Sequence, residues 1–295
     1  MKSGFVSLVG RPNVGKSTLL NAIMGRKIAI TSNAPGTTRN MIQGIYNDED
    51  TQIIFVDTPG IHKPQDKLGK VLNEQAYASL EGVDVILFVT DITQNIGTGD
   101  KFILDVLKDV DVPVILVLNK IDKITYEEVL PRICEYKDLF PFKEIVPVTA
   151  TKNKNIDELI KTIREYLSDG VQYYGEDDVT NVSISFYISE LVREKILHLT
   201  REEVPHSVTC IVRLMESDKN SATIGADIIV DRENLKKILI GKNGRMIKEI
   251  GIEARKDIEK LLQKKVYLDL RVKVVNNWRD KDAFLKELGY DDIYK

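Results

Sequence analysis

The chain has 295 residues, of which 43% are hydrophobic and 29% charged, a globular balance that excludes a wholly disordered or collagen-like chain and predicts about two domains. Forty-two Lys and Arg stand against 45 Asp and Glu, a net charge of -3, so the total argues neither for nor against nucleic acid and the distribution has to decide. No apolar run approaches the roughly 18 residues needed to cross a bilayer. Met1-Lys2-Ser3-Gly4 leads straight into Phe5–Val9 with no signal-peptide pattern, so the expected location is cytosolic.

In chain order, short β-branched runs recur at Phe5–Val9, Ile53–Val56, Val85–Val89, Val114–Leu118 and Ile145–Val148. Each reads as a strand buried on both faces. Amphipathic segments separate the later ones, which predicts a mostly parallel sheet flanked by helices. Met41–Tyr46 reads as an added strand, pairing with Ile53–Val56 through a turn at Asn47-Asp48-Glu49-Asp50. Ile156–Leu167 is the last helix of this α/β domain, with Asn155 as its expected N-cap.

A polar stretch from Ser168 to Thr180 then marks a domain boundary. The expected division is an α/β domain over 1–170, a linker over 171–188, an α+β domain over 189–276, and a C-terminal helix and tail over 277–295. In the second part Ser189–Leu199 reads as a helix. Val208–Met215 and Ala222–Val230 form a hairpin around Asp218-Lys219-Asn220. Two helices follow, Glu233–Leu239 and Arg245–Leu262, then a strand over Val266–Val275 and a short helix over Asp280–Leu288. Cys134 and Cys210 are expected reduced and mostly buried. The three histidines are scattered and make no zinc site.

Gly10-Arg11-Pro12-Asn13-Val14-Gly15-Lys16-Ser17 fits G-x-x-x-x-G-K-[ST]. It lies after a strand and before Thr18–Met24, a helix start, where backbone amides can cradle phosphate. Lys16 would reach the β- and γ-phosphates, and the Ser17 hydroxyl would ligand Mg²⁺. Asn119-Lys120-Ile121-Asp122 follows Val114–Leu118. The Asp122 carboxylate can accept from guanine N1–H and the 2-amino group, whereas adenine would leave it unpaired. Asn119 would tie this loop to the phosphate loop, and the Lys120 stem would cover the base. Thr149-Ala150-Thr151 fits the second base loop, with the Ala150 amide at the guanine carbonyl. Asp57-Thr58-Pro59-Gly60 would hold Mg²⁺ through a water at Asp57 and sense γ-phosphate at the Gly60 amide. Thr38 is the expected switch threonine on Mg²⁺, with Thr37 as the alternative.

Gly241-Lys242-Asn243-Gly244 is a G-x-x-G turn between two helices. Such a loop lets backbone approach the sugar-phosphate of single-stranded nucleotides. Ile240 and Ile247 would help floor a groove for bases, Lys242 and Arg245 would meet phosphate, and Lys248 is a further candidate RNA-binding residue. From Arg232 to Lys265 eleven Lys and Arg stand against five acids. That excess of six, in a protein of net charge -3, is an electrostatic footprint for nucleic acid.

The first set of motifs resembles the translation-factor-related branch of small GTPases. The whole order, including helix, two strands, helix, G-x-x-G, helix and strand, resembles the Era family of bacterial GTPases, which join one G domain to one type II KH domain. Arg193-Glu194-Lys195 through Val204-Pro205-His206-Ser207-Val208 also looks like that family's helix-to-strand entry. The resemblance implies hydrolysis of GTP to GDP and phosphate, and binding of the 3′ end of the 16S rRNA during small ribosomal subunit assembly. It also implies peripheral association with the inner membrane, which here would be electrostatic. A monomer is expected. Ile61 stands where Ras-like proteins carry a water-orienting glutamine, so intrinsic hydrolysis is expected to be slow and no residue is assigned as catalytic. Thr38, Lys16 and Asn13 are the candidate helpers, and Asn13 resembles the position that holds K⁺ in potassium-stimulated GTPases. The competing expectation is a GTP-regulated module for a protein or membrane partner, with a KH-like fold that binds no RNA.

Overall fold

The computed structural model describes Met1–Tyr290. It separates into two compact units. The first comprises Met1–Thr31, Thr38–Gln65 and Gly69–Asn181, and the second Ser32–Thr37, Asp66–Leu68 and the chain from Val182 onward.

The first unit is built on β1 (Lys2–Val9), β2 (Ile42–Asp48), β3 (Thr51–Asp57), β4 (Val85–Asp91), β5 (Val114–Asn119) and β6 (Glu144–Pro147). Its helices are α1 (Lys16–Met24), α2 (Lys67–Ala78, whose first residues fall in the second unit), α3 (Thr98–Leu107), α4 (Tyr126–Lys137) and α5 (Ile156–Tyr166). The sheet order is β2-β3-β1-β4-β5-β6, parallel except for the β2–β3 pair. β3, β4 and β5 are buried along their full length, as strands covered by helices on both faces must be. On α5 the apolar residues Ile156, Leu159, Ile160 and Ile163 fall at helical spacing, and all four are buried.

Three local expectations are corrected. The β2–β3 turn is tighter than expected, because pairing extends from Asp48 to Thr51 and leaves only Glu49 and Asp50 between the strands. Asn155 occupies the N-cap position of α5 as expected, but it is left-handed at φ 61° and its side chain makes no capping bond, because its amide donates to the Pro147 carbonyl at 2.8 Å. Residues 171–181, expected in the linker, are bound to the β2–β3 hairpin. Ile45 N–H donates to the Val179 carbonyl at 2.9 Å, and Thr180 bridges to Gly44. The Gln52 side chain accepts from Tyr173 and Tyr174 N–H and donates back to the Tyr174 carbonyl. The segment therefore pairs with an otherwise open sheet edge.

The second unit runs α6 (Ile184–Leu199), α7 (Val204–Ser207), β7 (Val208–Ser217), β8 (Ser221–Val230), α8 (Glu233–Ile240), α9 (Arg245–Leu262), β9 (Lys265–Val274) and α10 (Asp282–Glu287). β7 and β8 are antiparallel, and β8 and β9 parallel. This is the type II KH arrangement. One face of the three-stranded sheet packs Val208, Ile224, Ile228 and Val266 against Ile188, Val192 and Ile196 of α6 and Ile250, Ala254 and Ile258 of α9. α6 begins five residues earlier than expected because the Ser183 hydroxyl accepts from Phe186 N–H and caps it. The expected tail is part of the packed unit as far as it is described. Trp278 is fully buried with its indole N–H on the Ser207 carbonyl, and the Tyr290 hydroxyl meets Thr209. Neither cysteine forms a disulfide; Cys210 is buried, but Cys134 is exposed, against the expectation that both are buried.

Candidate nucleotide site and nucleic-acid loop

The loop from Gly10 to Gly15 joins the buried end of β1 to the start of α1. Gly15 has φ 101°, and a Cβ there would lie 2.4 Å from the Asn119 amide nitrogen, so backbone conformation and close approach both require glycine. Asn119 organises three loops. Its Nδ2 donates to the Val14 carbonyl at 3.0 Å, and its Oδ1 accepts from Lys120 N–H at 2.8 Å and Ala150 N–H at 3.2 Å. The expected tie from Asn119 to the phosphate loop is present. The Ala150 amide, expected at a guanine carbonyl, is directed to Asn119.

Lys16 is buried, with its ammonium donating to the Gly10 and Arg11 carbonyls at 3.0 and 3.1 Å. Burial pulls its pKa down to about 8, partly opposed by the Asp57 carboxylate. Asp57 is fully buried at the end of β3, and its Oδ2 accepts from the Ser17 hydroxyl at 2.6 Å and from Thr38 at 3.3 Å. The two hydroxyls are 2.7 Å apart. Asp57 Oδ1 is buried and has no hydrogen-bond partner. Burial pushes the Asp57 carboxyl up, against the pull of Lys16, Ser17, Thr38 and the Thr58 amide. Two hydroxyls gathered on a buried carboxylate that keeps one unpaired oxygen make a hard-oxygen donor set that fits a small divalent cation such as Mg²⁺.

The structure distinguishes the two threonines. The Thr37 hydroxyl donates to the Ala34 carbonyl and meets Ser32, whereas Thr38 is the one beside Ser17 and Asp57. At Gly60 a Cβ would lie 2.6 Å from Pro12 N, so glycine brings this segment against the phosphate loop. Ile61 packs inside, and the exposed His62 donates its Nδ1–H to the Gly60 carbonyl at 2.8 Å.

In the base loop Lys120 is left-handed at φ 66°. The Asp122 carboxylate pairs with Lys152 at 2.9 Å, and that hydrogen bond is the main force holding its pKa below the usual carboxylate range. Sequence reasoning stopped at Thr151 and missed Lys152, one residue on. It also missed Asp91, on which the Lys120 ammonium is bound at 2.6 Å.

In the second unit α8 ends at Ile240, and Gly241 (φ 71°), Asn243 (φ 52°) and Gly244 (φ 74°) carry the turn into α9. A Cβ on Gly241 would meet Met246 Cβ at 2.8 Å. Lys242, Asn243, Arg245 and Lys248 are exposed. Beside the turn, α9 and β9 enclose a groove floored by Ile247, Gly251, Ile252, Leu268 and Leu270, with Lys248 and Arg255 also lining it. Ile247 belongs to this groove as expected, and the RNA-binding candidate Lys248 lines it too. Ile240 does not line it, and the α9 and β9 members were not foreseen, because a groove between elements leaves no contiguous motif.

The fold and the two loops define a P-loop GTPase that carries a KH domain. Residues 5–120 match the family model of the 50S ribosome-binding GTPase, and residues 203–279 match that of the KH domain. A solved structure of Aquifex aeolicus Era, a single-residue variant bound to GDP·AlF4⁻, is 46% identical over 98% of this chain and 99% of that one, with a TM-score of 0.96. A structure of Era with MgGDPNP and nucleotides 1506–1542 of 16S ribosomal RNA matches with the same identity, coverage and score. The chain belongs to the Era family.

Proposed function

We propose that this protein is a GTP-hydrolysing switch that binds the 3′ end of 16S rRNA through its KH domain and acts in assembly of the small ribosomal subunit. The observation that carries the switch is the meeting of Ser17 and Thr38 on one oxygen of the buried Asp57 carboxylate, whose other oxygen has no hydrogen-bond partner. Thr38 lies in the connection between α1 and β2, and its place beside Ser17 and Asp57 is the arrangement a γ-phosphate would favour. Mg²⁺ bound among these oxygens would neutralise charge on the phosphates. Gly15 and its neighbouring amides cradle phosphate, Lys16 places its ammonium on it, and Asp122 selects guanine.

Hydrolysis is slow in this reading, because Ile61 is buried and offers no group to orient water. A stimulating K⁺ at Asn13 is part of the proposal, supported by the exposed, left-handed position of that residue in the phosphate loop. RNA binding is supported by the exposed cations beside the Gly241–Gly244 turn and by the apolar groove that adjoins them. Cytoplasmic location, a monomeric state and peripheral membrane contact complete the proposal on the family resemblance. Among the described residues no helix is long and apolar enough to cross a membrane.

The test is binding of a labelled RNA carrying the 16S 3′ sequence, and of a scrambled control, to protein loaded with a non-hydrolysable GTP analogue or with GDP. Selective binding that weakens with GDP is expected. Equal weak binding of both RNAs in both states would favour the GTP-regulated module that binds no RNA.

A further inference from the structure

We propose that Asp91 and Asp100 are positioning residues of the nucleotide site: the segment joining β4 to α3 braces Lys120 of the base loop and Arg11 of the phosphate loop together, so that base and phosphate recognition are set jointly.

At the first acid, the carboxylate is fixed on one side before the lysine reaches it. Asp91 lies at the end of β4 and is 3% exposed. Its Oδ1 accepts from the Thr93 amide at 3.0 Å and the Thr93 hydroxyl at 2.7 Å. Its Oδ2 takes the Lys120 ammonium at 2.6 Å, and that ammonium also donates to the Asn13 carbonyl at 3.0 Å. Burial of Asp91 raises its pKa, but the bonds from Lys120 and Thr93 outweigh that and hold it low, so the pair stays charged.

At the second acid, Asp100 is fully buried in the first turn of α3. Its Oδ2 accepts from Gly97 N–H at 2.9 Å, and its Oδ1 takes Arg11 Nε at 2.8 Å. The Arg11 stem crosses Gly99, where a Cβ would lie 2.9 Å from its Cδ. The exposed Gln94 joins the two ends, donating to Asp91 Oδ2 at 3.1 Å and accepting from Arg11 Nη2 at 3.2 Å.

Two acids nine residues apart thus hold cations from loops more than a hundred residues apart. A buried ion pair is a poor route to stability but fixes geometry well. The phosphate loop has three positive-φ residues, Gly10, Asn13 and Gly15, and so gains orientation from outside bracing.

The inference rests on the assignment of Lys120 and Asp122 to the base. Its distinctive consequence is that Asp100, on the phosphate side, influences discrimination of the base. Full-length wild type, Asp91→Asn, Asp100→Asn and Arg11→Lys are compared for release of mant-GDP and mant-IDP, the second lacking the 2-amino group, with melting temperature measured alongside. Asp91→Asn and Asp100→Asn are expected each to speed mant-GDP release about tenfold and to narrow the ratio of mant-IDP to mant-GDP release rates. The two together should act less than multiplicatively. A merely structural role would lower the melting temperature and leave the ratio unchanged, and that result overturns the inference. Arg11→Lys keeps the charge but cannot reach Asp100 and Gln94 together. It should narrow the ratio too, and it decides the matter if either Asn variant fails to fold. Wild-type protein that releases mant-ATP as slowly as mant-GDP would overturn the base assignment and the inference with it.

Discussion

The side-chain amide of Asn119 and the backbone carbonyl of Val14, separated by 105 positions in the chain, meet at 3.0 Å, while the other end of the same amide accepts from Lys120 and Ala150. One side chain therefore joins the phosphate loop to both base loops. Replacing Asn119 by Ala removes three hydrogen bonds at once and leaves buried groups unpaired, at a cost of about 2 kcal/mol or more. GDP affinity should fall about a hundredfold, measured by equilibrium titration, with a lower melting temperature in the absence of nucleotide. Unchanged affinity would sink this role for Asn119.

The guanine selection proposed for Asp122 has a chemical inverse. Asp122→Asn presents an amide donor where the carboxylate accepted, which suits the 2-oxo group of xanthine. GDP binding should weaken about a hundredfold or more while XDP binding strengthens. Competition between the two diphosphates reads the exchange directly, and loss of both affinities together would contradict it.

Lys16 makes nucleotide binding pH-dependent. Its folded pKa of about 8 lies below the unfolded 10.5, so between these values the unfolded chain holds the extra proton and stability from this group rises with pH. Phosphate would restore the charged ammonium. GDP binding should then take up close to one proton at pH 9, and affinity should decline as pH rises through about 8. Calorimetry at pH 9 in two buffers of different ionisation enthalpy measures the uptake. Equal heats in both buffers would count against a depressed Lys16.

The two glycines of the KH turn differ in what they require. Gly244→Ala meets no atom within 4 Å and suffers only its left-handed φ, a cost of about 1 kcal/mol. Gly241→Ala adds a 2.8 Å approach to Met246 and should destabilise more. Denaturant melts of the two variants should rank in that order, and the reverse order would argue against the turn described.

Phosphate contact by Lys242, Arg245 and Lys248 would appear in salt dependence. For single-stranded RNA each cation removed should flatten the slope of log K against log salt by about 0.7. Anisotropy titrations of the three alanine variants at several salt concentrations give the slopes. A variant with the wild-type slope does not contact phosphate.

The nucleotide loops were legible because their residues are contiguous: Gly10 to Ser17 and Asn119 to Asp122 each carry their chemistry in one short run. Sequence alone favoured Thr38 over Thr37 without a local reason to exclude the second, since that reason is the bonding of the Thr37 hydroxyl to Ser32 and Ala34. Lys152, Asp91, Asp100 and Arg11 were missed because each partner lies tens of residues away in the chain. Asn155 has the residue type of a cap, but the Pro147 carbonyl lay within reach of its amide. The polar stretch after Ser168 resembled a linker because a segment that satisfies a sheet edge through its backbone leaves no apolar periodicity to read.

That last segment also decides where the chain can be cut. The isolated bridge of Thr180 to Gly44, with the bond from Ile45 N–H to the Val179 carbonyl, covers part of the outer edge of β2. A fragment ending at Gly170 would bare a row of backbone donors and acceptors and self-associate in solution, whereas one ending at Asn181 would carry its own edge guard and stay dispersed.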